Sequence, residues 1–496
     1  MKLSVTLAAL FAAFAATNVH GYMNPITIKG YKMFDTKTGE PFAVKGIDYY
    51  PRPNAGTLNE NNIDFFTDDF YNVWKDDIDL LAATGANAVR LYAVDPSKSH
   101  DRFMCALRAK GMYALIDLAA SCTNCAISKD AYPTCYHPDL KSRGEYIIKT
   151  FAKYDNVLAF SAGNEVNNEV PTDASINAPC QKKFIRDLRA FIGACKTIRK
   201  VPVGVVAADP NAAKNNRELS AKYYNCRTDA NDKYENAEWY GLNAYQYCDN
   251  SVTELKDAAG FKKLQSDFLS YGMTIPVMLT EFGCPNPSFP TLSGYEAQRP
   301  WRQAGWLFSS DFRKVFSGGF AFEYSTEKVN VAAAFPFKSY DAGNYGLGYF
   351  SPENCNHNGT ACSYVTMPNY DSLATQYNAV NISGESSMSS FTSDRTTFPT
   401  CPTGFPKLAD IKWAADDLAS LACPTDVQAY TCPGQTSSGT WVSDSGSGTS
   451  GSDSGSSSGS SSISTTASKS GATRQFSLAA SAVSVTLLSA IWSALF

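Results

Sequence analysis

The sequence predicts an α/β fold, a (β/α)8 TIM-type barrel, and two observations carry that prediction. Eight short apolar, β-branched or aromatic segments occur between residues 43 and 325, each typical of a buried parallel strand. Helical segments lie between most of them, and eight strands alternating with helices favour such a barrel. A doubly wound sheet is the alternative. No G-x-G-x-x-G motif opens a helix after a strand, so a dinucleotide site is not indicated.

The predicted elements can be placed along the chain. The strands are residues 43–50, 86–94, 112–118, 157–165, 201–209, 239–246, 275–283 and 318–325. The helices are residues 74–83, 100–110, 145–153, 181–198, 261–271 and 301–316. The clearest is 181–198, where apolar residues recur at three- and four-residue spacing on one face. The pattern for a helix between the fifth and sixth strands is weak.

Three further segments follow the barrel. Residues 329–380 predict loops or a small β-appendage, so the first domain is expected to span residues 22–380. Residues 381–433 hold a linker and a short segment, 401–432, with three cysteines and one amphipathic helix, 411–421. That segment is too short to build much core and is expected to need disulfides. Residues 434–475 are rich in Ser and Gly and predict a disordered stalk.

Both ends of the chain carry targeting patterns. An apolar stretch after Met1-Lys2, followed by small residues, predicts a secretory signal peptide over residues 1–21. The uncharged apolar tail, residues 476–496, follows a polar spacer and the Ser/Gly tract. This order is typical of a signal for a glycosylphosphatidylinositol (GPI) anchor. A membrane-spanning helix is the alternative, but no Lys or Arg follows the tail. We expect a cell-surface protein on the plasma membrane or in the cell wall.

Composition argues against several classes of partner. The net charge is −4 without a basic run, so nucleic acid is not indicated. None of the four His has metal-ligand spacing, so no metal and no cofactor is expected. The 14 cysteines of a secreted chain predict disulfides, with Cys122 and Cys125 as structural partners. Asn358 and Asn381 begin N-glycan acceptor motifs, which predicts surface loops.

Carboxylates and tyrosines, rather than His, Ser or Cys, stand at the ends of the predicted strands. The active-site groups of such a barrel lie at the C-terminal ends of its strands. The residues there are Asp48, Tyr49, Tyr92, Asp117, Asn164, Glu165, Asp209, Tyr245, Glu281, Glu323 and Tyr324. This set favours two-carboxylate chemistry on a glycosidic bond over a serine or cysteine triad.

Glu165 and Glu281 are the predicted catalytic pair. They end the fourth and seventh strands, which lie across the barrel from each other, so the two carboxyls can face one another over a cleft. At a separation of about 5–5.5 Å, one would attack the anomeric carbon and the other would protonate the leaving oxygen, a retaining mechanism. Repulsion between the carboxyls would raise the pKa of one of them, which suits the acid.

Other strand-end residues could support this pair. Asn164 could bond the sugar 2-hydroxyl, and Tyr245 could orient the nucleophile. Tyr92 and Asp117 could bind sugar hydroxyls. The weaker candidates, for which structural ion pairs are expected, are Asp48, Asp209 and Glu323.

Seven segments together resemble glycoside hydrolase family 72, the fungal-type β-1,3-glucanosyltransferases. They are residues 25–30, 42–50, 87–95, 112–117, 163–165, 241–245 and 281–284. The resemblance, over about residues 22–380, implies a GPI-anchored enzyme that remodels cell walls. It would cleave inside a β-1,3-glucan and hold the new reducing end as a glycosyl-enzyme. It would then transfer that end to the non-reducing end of another glucan.

The resemblance also assigns residues. It implies that Glu165 is the acid/base and Glu281 the nucleophile, with a disulfide between Cys248 and Cys284 beside the nucleophile. The residues it implies for the donor site are Tyr92, Asp117, Asn164, Tyr245 and, less directly, Tyr324. The chain departs from the family at Trp74, where a cysteine is usual in the first helix. Cys105 is offset from that pattern, and residues 401–432 are much shorter than the family's carbohydrate-binding module.

Two other functions stay open at this point. A retaining endo-β-1,3-glucanase would use the same two glutamates and pass the glycosyl group to water. A surface glucan-binding protein on an inactive barrel would need neither. The sequence does not indicate an oligomeric state.

Overall fold

A computed structural model describes residues 23–246, 249–284, 291–296, 298–425 and 429–433. Within them, eight parallel strands form a closed barrel. The strands are Val44–Asp48, Ala88–Leu91, Tyr113–Asp117, Val157–Asn164, Val203–Ala207, Tyr240–Asn243, Val277–Phe282 and Phe316–Ala321. The eighth strand pairs with the first, with Gly318 opposite Val44, and this pairing closes the sheet. The predicted barrel is confirmed.

Helices connect the strands. They are Tyr71–Trp74 with Asp77–Ala83, Asp101–Ala109, Pro138–Phe151, Ala178–Ala194, Arg217–Asn225, Ala259–Tyr271 and Arg302–Leu307. The weakly indicated helix between the fifth and sixth strands is present. It is capped by Asn216, whose side-chain oxygen accepts from the Leu219 N–H. The last helix is shorter than predicted, because residues 301–316 also contain a 3-10 turn, Phe312–Lys314.

The N-terminal end of the barrel is apolar and closed. An antiparallel hairpin, Ile26–Lys29 with Lys32–Asp35, packs buried Ile26 and Met33 into one cluster with barrel residues such as Leu115. Four-residue strands carry too little periodicity for the sequence to predict this hairpin. Gly318 has φ +113°, and a Cβ there would lie 2.1 Å from the Val44 carbonyl oxygen, so the close approach of the eighth strand requires glycine.

A small β-appendage follows the barrel, one of the two predicted alternatives. The strands Ser325–Thr326, Gly348–Ser351 and Ser363–Thr366 form a three-stranded sheet, and the helix Pro368–Asn378 was not expected from the sequence. Asn358 and Asn381, of the two N-glycan motifs, are both exposed, as predicted for surface loops.

The segment of residues 401–425 and 429–433, which we call the strap, lies against the outside of the barrel. Its three cysteines bond to barrel cysteines, in the pairs Cys226–Cys401, Cys195–Cys423 and Cys105–Cys432. The predicted helix over 411–421 is wrong: that stretch holds only a 3-10 turn, Ala414–Asp416. Its apolar residues are buried singly against the barrel helices; Trp413, for example, is 1% exposed and faces the Tyr136 ring.

Removing a strap disulfide should destabilise the protein without changing catalysis. The Cys195–Cys423 bond links residues 228 apart, and with Cys226–Cys401 intact it still closes a loop of roughly 50 residues, which restricts the unfolded chain. We expect Cys195→Ser with Cys423→Ser to lower the free energy of unfolding by about 2–5 kcal/mol. Denaturant unfolding measures this. The matched control removes Cys355–Cys362, which spans seven residues and should cost less; equal losses would contradict the loop-length explanation.

Several predictions concern the covalent links and the chain ends. The predicted Cys122–Cys125 disulfide is present. The predicted signal peptide, the Ser/Gly stalk and the GPI tail all lie outside the described residues. Within the described part of the chain, no helix is long and apolar enough to cross a membrane. In the same residues, no group of three or more His, Cys, Asp or Glu side chains is arranged to hold a metal ion.

Candidate active site

A cleft of about 750 Å³ opens at the C-terminal ends of the barrel strands. One wall comes from the loops after the third and fourth strands, with Lys129 and Glu169 at its edge. The other wall comes from the loops after the first and eighth strands and includes Tyr50, Glu327 and Tyr345. Clefts of this size bind ligands as large as a short oligosaccharide.

Glu165 and Glu281 both line this cleft, as their strand positions predict. Glu165 directly follows the fourth strand and adopts the left-handed conformation, with φ +51° and ψ +32°. That conformation costs an L-residue roughly 1–2 kcal/mol, and such strain is concentrated at functional sites. Glu281 lies on the seventh strand and is 7% exposed. The barrel therefore brings the two carboxyls into one site.

Glu281 accepts hydrogen bonds from three side chains. Arg90 Nη1 and the Tyr92 hydroxyl each donate to Oε1 at 3.1 Å. The Tyr245 hydroxyl donates to Oε2 at 2.8 Å. A guanidinium and two hydroxyls that converge on one carboxyl stabilise its ionised form. Glu281 therefore has the surroundings of a carboxylate nucleophile.

Within the described part of the chain, Glu165 accepts side-chain hydrogen bonds only from amides. Asn243 Nδ2 donates to its Oε1 at 2.8 Å, and Asn168 Nδ2 donates to Oε2 at 3.4 Å. The Asn243 amide is held in this orientation because its oxygen accepts from the Thr280 hydroxyl at 2.9 Å. Neutral donors stabilise a negative charge less than a guanidinium does. Judged by hydrogen bonding alone, Glu165 is therefore easier to protonate than Glu281.

Burial raises the pKa of both glutamates. The pKa of Glu281 rises to about 7, because desolvation and the charge of Glu165 outweigh the lowering by Arg90, Tyr245 and Tyr92. Desolvation likewise raises the pKa of Glu165. Both pKa values are raised, and the hydrogen bonds assign the proton that the repelling pair retains to Glu165, because Arg90 is bonded to Glu281 and not to Glu165.

Arg90 is the main residue of the site that sequence reasoning missed. Its guanidinium is fully buried and lies 2.9 Å from Asp117, 3.1 Å from Glu281 and 3.8 Å from Asp48. A signal for it does exist. It stands in an otherwise apolar strand, two residues before Tyr92 and on the same side, and a charge buried there needs partners. Asn243, two residues before Tyr245, is likewise a polar residue in an otherwise apolar strand.

The side chain of Asn164 is oriented by its neighbours. Its Oδ1 accepts from Arg90 Nη2 at 3.0 Å and from Asn243 Nδ2 at 3.1 Å. Both bonds use the carbonyl oxygen, so the amide N–H groups are left for a ligand, and the residue is exposed in the cleft. This orientation fits the predicted bond to a sugar hydroxyl.

The other predicted binding residues have different surroundings. Tyr92 lines the cleft, and its hydroxyl bonds to Glu281. The hydroxyl of Tyr245 also bonds to Glu281. Asp117 also lines the cleft, but its carboxylate pairs with Arg90. Tyr324 is not brought to the cleft. It is fully buried and donates to Asp77 Oδ1 at 2.9 Å, so it supports the strand end instead of reaching a ligand.

Of the three carboxylates that were predicted to form ion pairs, two do so in the structure. Asp209 pairs closely with Arg217, as predicted. Asp48 lies 3.8 Å from Arg90, also as predicted. For Glu323 the expectation is wrong, because no ion pair to it occurs within the described residues and it lines the cleft instead.

Of the predicted disulfide between Cys248 and Cys284, the structure describes only Cys284. Cys284 follows the seventh strand and is disulfide-bonded. Its predicted partner, Cys248, lies outside the described residues, so the pairing stays a prediction.

Known proteins resemble the chain in both sequence and structure. A family model described as glucanosyltransferase, of glycoside hydrolase family 72, matches residues 15–334. The 1,3-beta-glucanosyltransferase GAS5 of Saccharomyces cerevisiae is 33% identical over 72% of this chain and 69% of its own length. The 1,3-beta-glucanosyltransferase gel1 of Aspergillus fumigatus is 32% identical over 76% of this chain and 72% of its own length.

Solved structures of one yeast protein also match. Saccharomyces cerevisiae Gas2, as a point mutant in complex with laminaritetraose and laminaripentaose, superposes with a TM-score of 0.56 at 28% identity. The match covers 72% of this chain and 68% of that one.

Proposed function

The chain belongs to glycoside hydrolase family 72, the glucanosyltransferases, and from that premise we propose that Glu165 and Glu281 transfer β-1,3-glucan segments by double displacement. The observation that supports these roles is the contrast in hydrogen bonding. Glu281 accepts from a guanidinium and two hydroxyls, whereas Glu165 in the same cleft accepts from the amides of Asn243 and Asn168. The first arrangement suits a nucleophile and the second a general acid.

In the first displacement, a Glu281 oxygen attacks the anomeric carbon of a bound glucan. The bond from that carbon to the glycosidic oxygen breaks, and Glu165 gives its proton to the departing oxygen. The reducing-end fragment leaves, and the new reducing end stays bound to Glu281 as an ester. Tyr245 and Arg90 hold the attacking carboxylate in place.

In the second displacement, Glu165 is ionised and acts as the base. It takes the proton from a hydroxyl at the non-reducing end of an acceptor glucan, and the oxygen of that hydroxyl attacks the anomeric carbon. The ester bond breaks and restores the Glu281 carboxylate. Two inversions leave the β-configuration unchanged. An N–H of Asn164 bonds the sugar 2-hydroxyl, a contact that strengthens in both transition states.

The cellular setting is part of the proposal. Six disulfides between described cysteines favour a location outside the cytoplasm. We propose that residues 1–21 direct secretion and that residues 434–475 are a stalk with the GPI attachment residue. The tail, 476–496, would be replaced by the lipid. Asn358 and Asn381 carry N-glycans in this proposal, and Cys248 pairs with Cys284.

Product lengths distinguish transfer from hydrolysis. The secreted protein is incubated with a β-1,3-gluco-oligosaccharide tagged at its reducing end, and products are followed by mass spectrometry. We expect tagged products longer than the starting sugar, because the glycosyl-enzyme is passed to a second chain. Products that are only shorter would make the protein a hydrolase. No reaction on any β-1,3-glucan would contradict the proposed function.

Tyr245→Phe should lower kcat and move the acidic limb of the pH profile upward. The Tyr245 hydroxyl donates to Glu281 and lowers the pKa of that carboxyl. Its loss removes a hydrogen bond to a charged group, worth about 1.5–3 kcal/mol, or roughly ten- to hundredfold in rate. Glu281 would then gain its proton at a higher pH. A limb that stays in place in a pH–rate profile would argue against this role for Tyr245.

A further inference from the structure

Glu323 differs from Asp117, Glu281 and Glu327, the buried carboxyls that line the cleft. It directly follows Phe322 after the eighth strand, and both residues line the cleft. Glu281 and Asp117 bond to Arg90, and Glu327 lies 3.4 Å from Arg52. The carboxyl of Glu323 has neither a hydrogen bond nor an ion pair with any other residue that the structure describes. Glu323 is partly exposed and lines the cleft, so its carboxyl is free to bond to a ligand there.

The charges that face Glu323 favour its uncharged form. Glu327 on the same loop, Asp48 on the first strand and Glu281 on the seventh strand all repel a negative charge there. Arg299 is the cation that opposes them, and its guanidinium already donates to the carbonyl oxygens of Cys284 and Asn344. Desolvation and these carboxylates together raise the pKa of Glu323 well above its ordinary value.

We propose that Glu323 binds hydroxyl groups of the donor glucan, on the side of Glu281 away from Glu165, and so helps to hold the segment that is transferred. This inference rests on the proposed function, because it takes the cleft to bind glucan. The acid, Glu165, must lie toward the leaving fragment, so the opposite wall holds the retained segment. Glu323 and Glu327 belong to that opposite wall.

An uncharged carboxyl can both donate and accept hydrogen bonds, as sugar hydroxyls do. Its O–H donates to one hydroxyl while its carbonyl oxygen accepts from the next, and adjacent sugar hydroxyls present this alternation. Phe322, next in the chain, adds an apolar surface to the same wall, and its ring centroid lies 5.9 Å from that of Tyr345. Carbohydrates present apolar C–H faces as well as hydroxyls, so this wall offers both kinds of contact.

Two substitutions test the role of Glu323 in the secreted, full-length protein. The readout is release of the reducing-end fragment from a tagged β-1,3-gluco-oligosaccharide, measured against donor concentration. Glu323→Ala should raise the donor KM about tenfold or more, since a hydroxyl partner is lost. Glu323→Gln should stay within about threefold of wild type, because an amide also donates and accepts.

The pH dependence adds a second readout. In wild type the donor KM should rise as the pH passes the raised pKa of Glu323, because the ionised form cannot donate. Glu323→Gln should lack that rise. A donor KM in Glu323→Ala that matches wild type would overturn the inference, as would a Glu323→Gln profile identical to that of wild type.

Controls separate binding from folding and from the proposed function itself. Glu353 is a glutamate outside the cleft that pairs with Lys328 at the surface, so Glu353→Ala should leave the donor KM unchanged. Thermal unfolding should show no loss in Glu323→Gln, which breaks no bond in the free protein. A KM effect that only follows a loss of stability would overturn the inference. If wild type neither cleaves nor transfers, the proposed function fails instead.

Discussion

Glu281→Gln should lower kcat for glucan cleavage by at least about a thousandfold, since an amide cannot form the glycosyl-enzyme ester. The substitution keeps the shape of the side chain, so folding should be preserved. With the amide oxygen in the place of Oε1, Arg90 and Tyr92 can still donate to it, and the Tyr245 hydroxyl can accept from the NH2 group. Release of the tagged reducing-end fragment measures the effect. A Glu281→Gln protein that still transferred glucan would exclude the two-glutamate mechanism.

Glu165→Gln provides the matched comparison for that experiment. It should also lose activity on glucan, because the leaving oxygen then departs without a proton. On a β-1,3-gluco-oligosaccharyl fluoride, whose leaving group needs no proton, Glu165→Gln should still form the glycosyl-enzyme while Glu281→Gln should not. The two roles are thus separated by substrate chemistry. The reverse result would mean that the roles of Glu165 and Glu281 are exchanged.

Arg90→Leu should cost both stability and activity. Removing the guanidinium leaves Asp48, Asp117 and Glu281 buried without a cation. Breaking a buried ion pair typically costs about 3–5 kcal/mol. Arg90→Lys should rescue little, because one ammonium cannot replace a planar fork that reaches Asp117, Asn164 and Glu281 at once. Denaturant unfolding and kcat measure the two effects.

The stability loss of Arg90→Leu should depend on pH in a definite direction. Arg90 lowers the pKa of Asp117 and of Glu281, so its contribution is present where these carboxyls are ionised. It fades as falling pH protonates them, and the difference from wild type should shrink in acid. Arg217→Leu is the control, since its pairs with Asp209 and Asp267 lie on partly exposed side chains. An equal loss in both variants would contradict the argument.

The strands and the residues at their ends were predictable because buried parallel strands are short, apolar and bounded by polar residues. This regularity was enough to bring Glu165 and Glu281 to one face of the barrel. It could not indicate which of two neighbouring residues faces the cleft. Glu323 and Tyr324 are adjacent at the end of the eighth strand, yet Glu323 lines the cleft and Tyr324 is buried against Asp77. Successive side chains point in opposite directions, so an uncertainty of one residue reverses the assignment.

Arg90 was missed, and the strap was wrongly predicted to contain a helix, for another reason. The partners of Arg90 come from strands far apart in the chain, and the pairing exists only once the barrel has closed. The amphipathic spacing over residues 411–421 of the strap predicted a helix, but the apolar residues there enter separate positions on the barrel helices and only a 3-10 turn forms. The contacts that hold the strap are tertiary, so the spacing alone could not indicate them.

The path of the strap determines where mechanical load would enter the molecule. Its last part lies at the N-terminal face of the barrel: the Tyr430 N–H donates to the carbonyl oxygen of Lys153, shortly before the fourth strand begins. The cleft opens at the opposite face. Cys432 is covalently bonded to Cys105. Tension applied beyond residue 433 would therefore pass through that bond into the helix Asp101–Ala109. It would not peel the strap away or pull on the cleft walls.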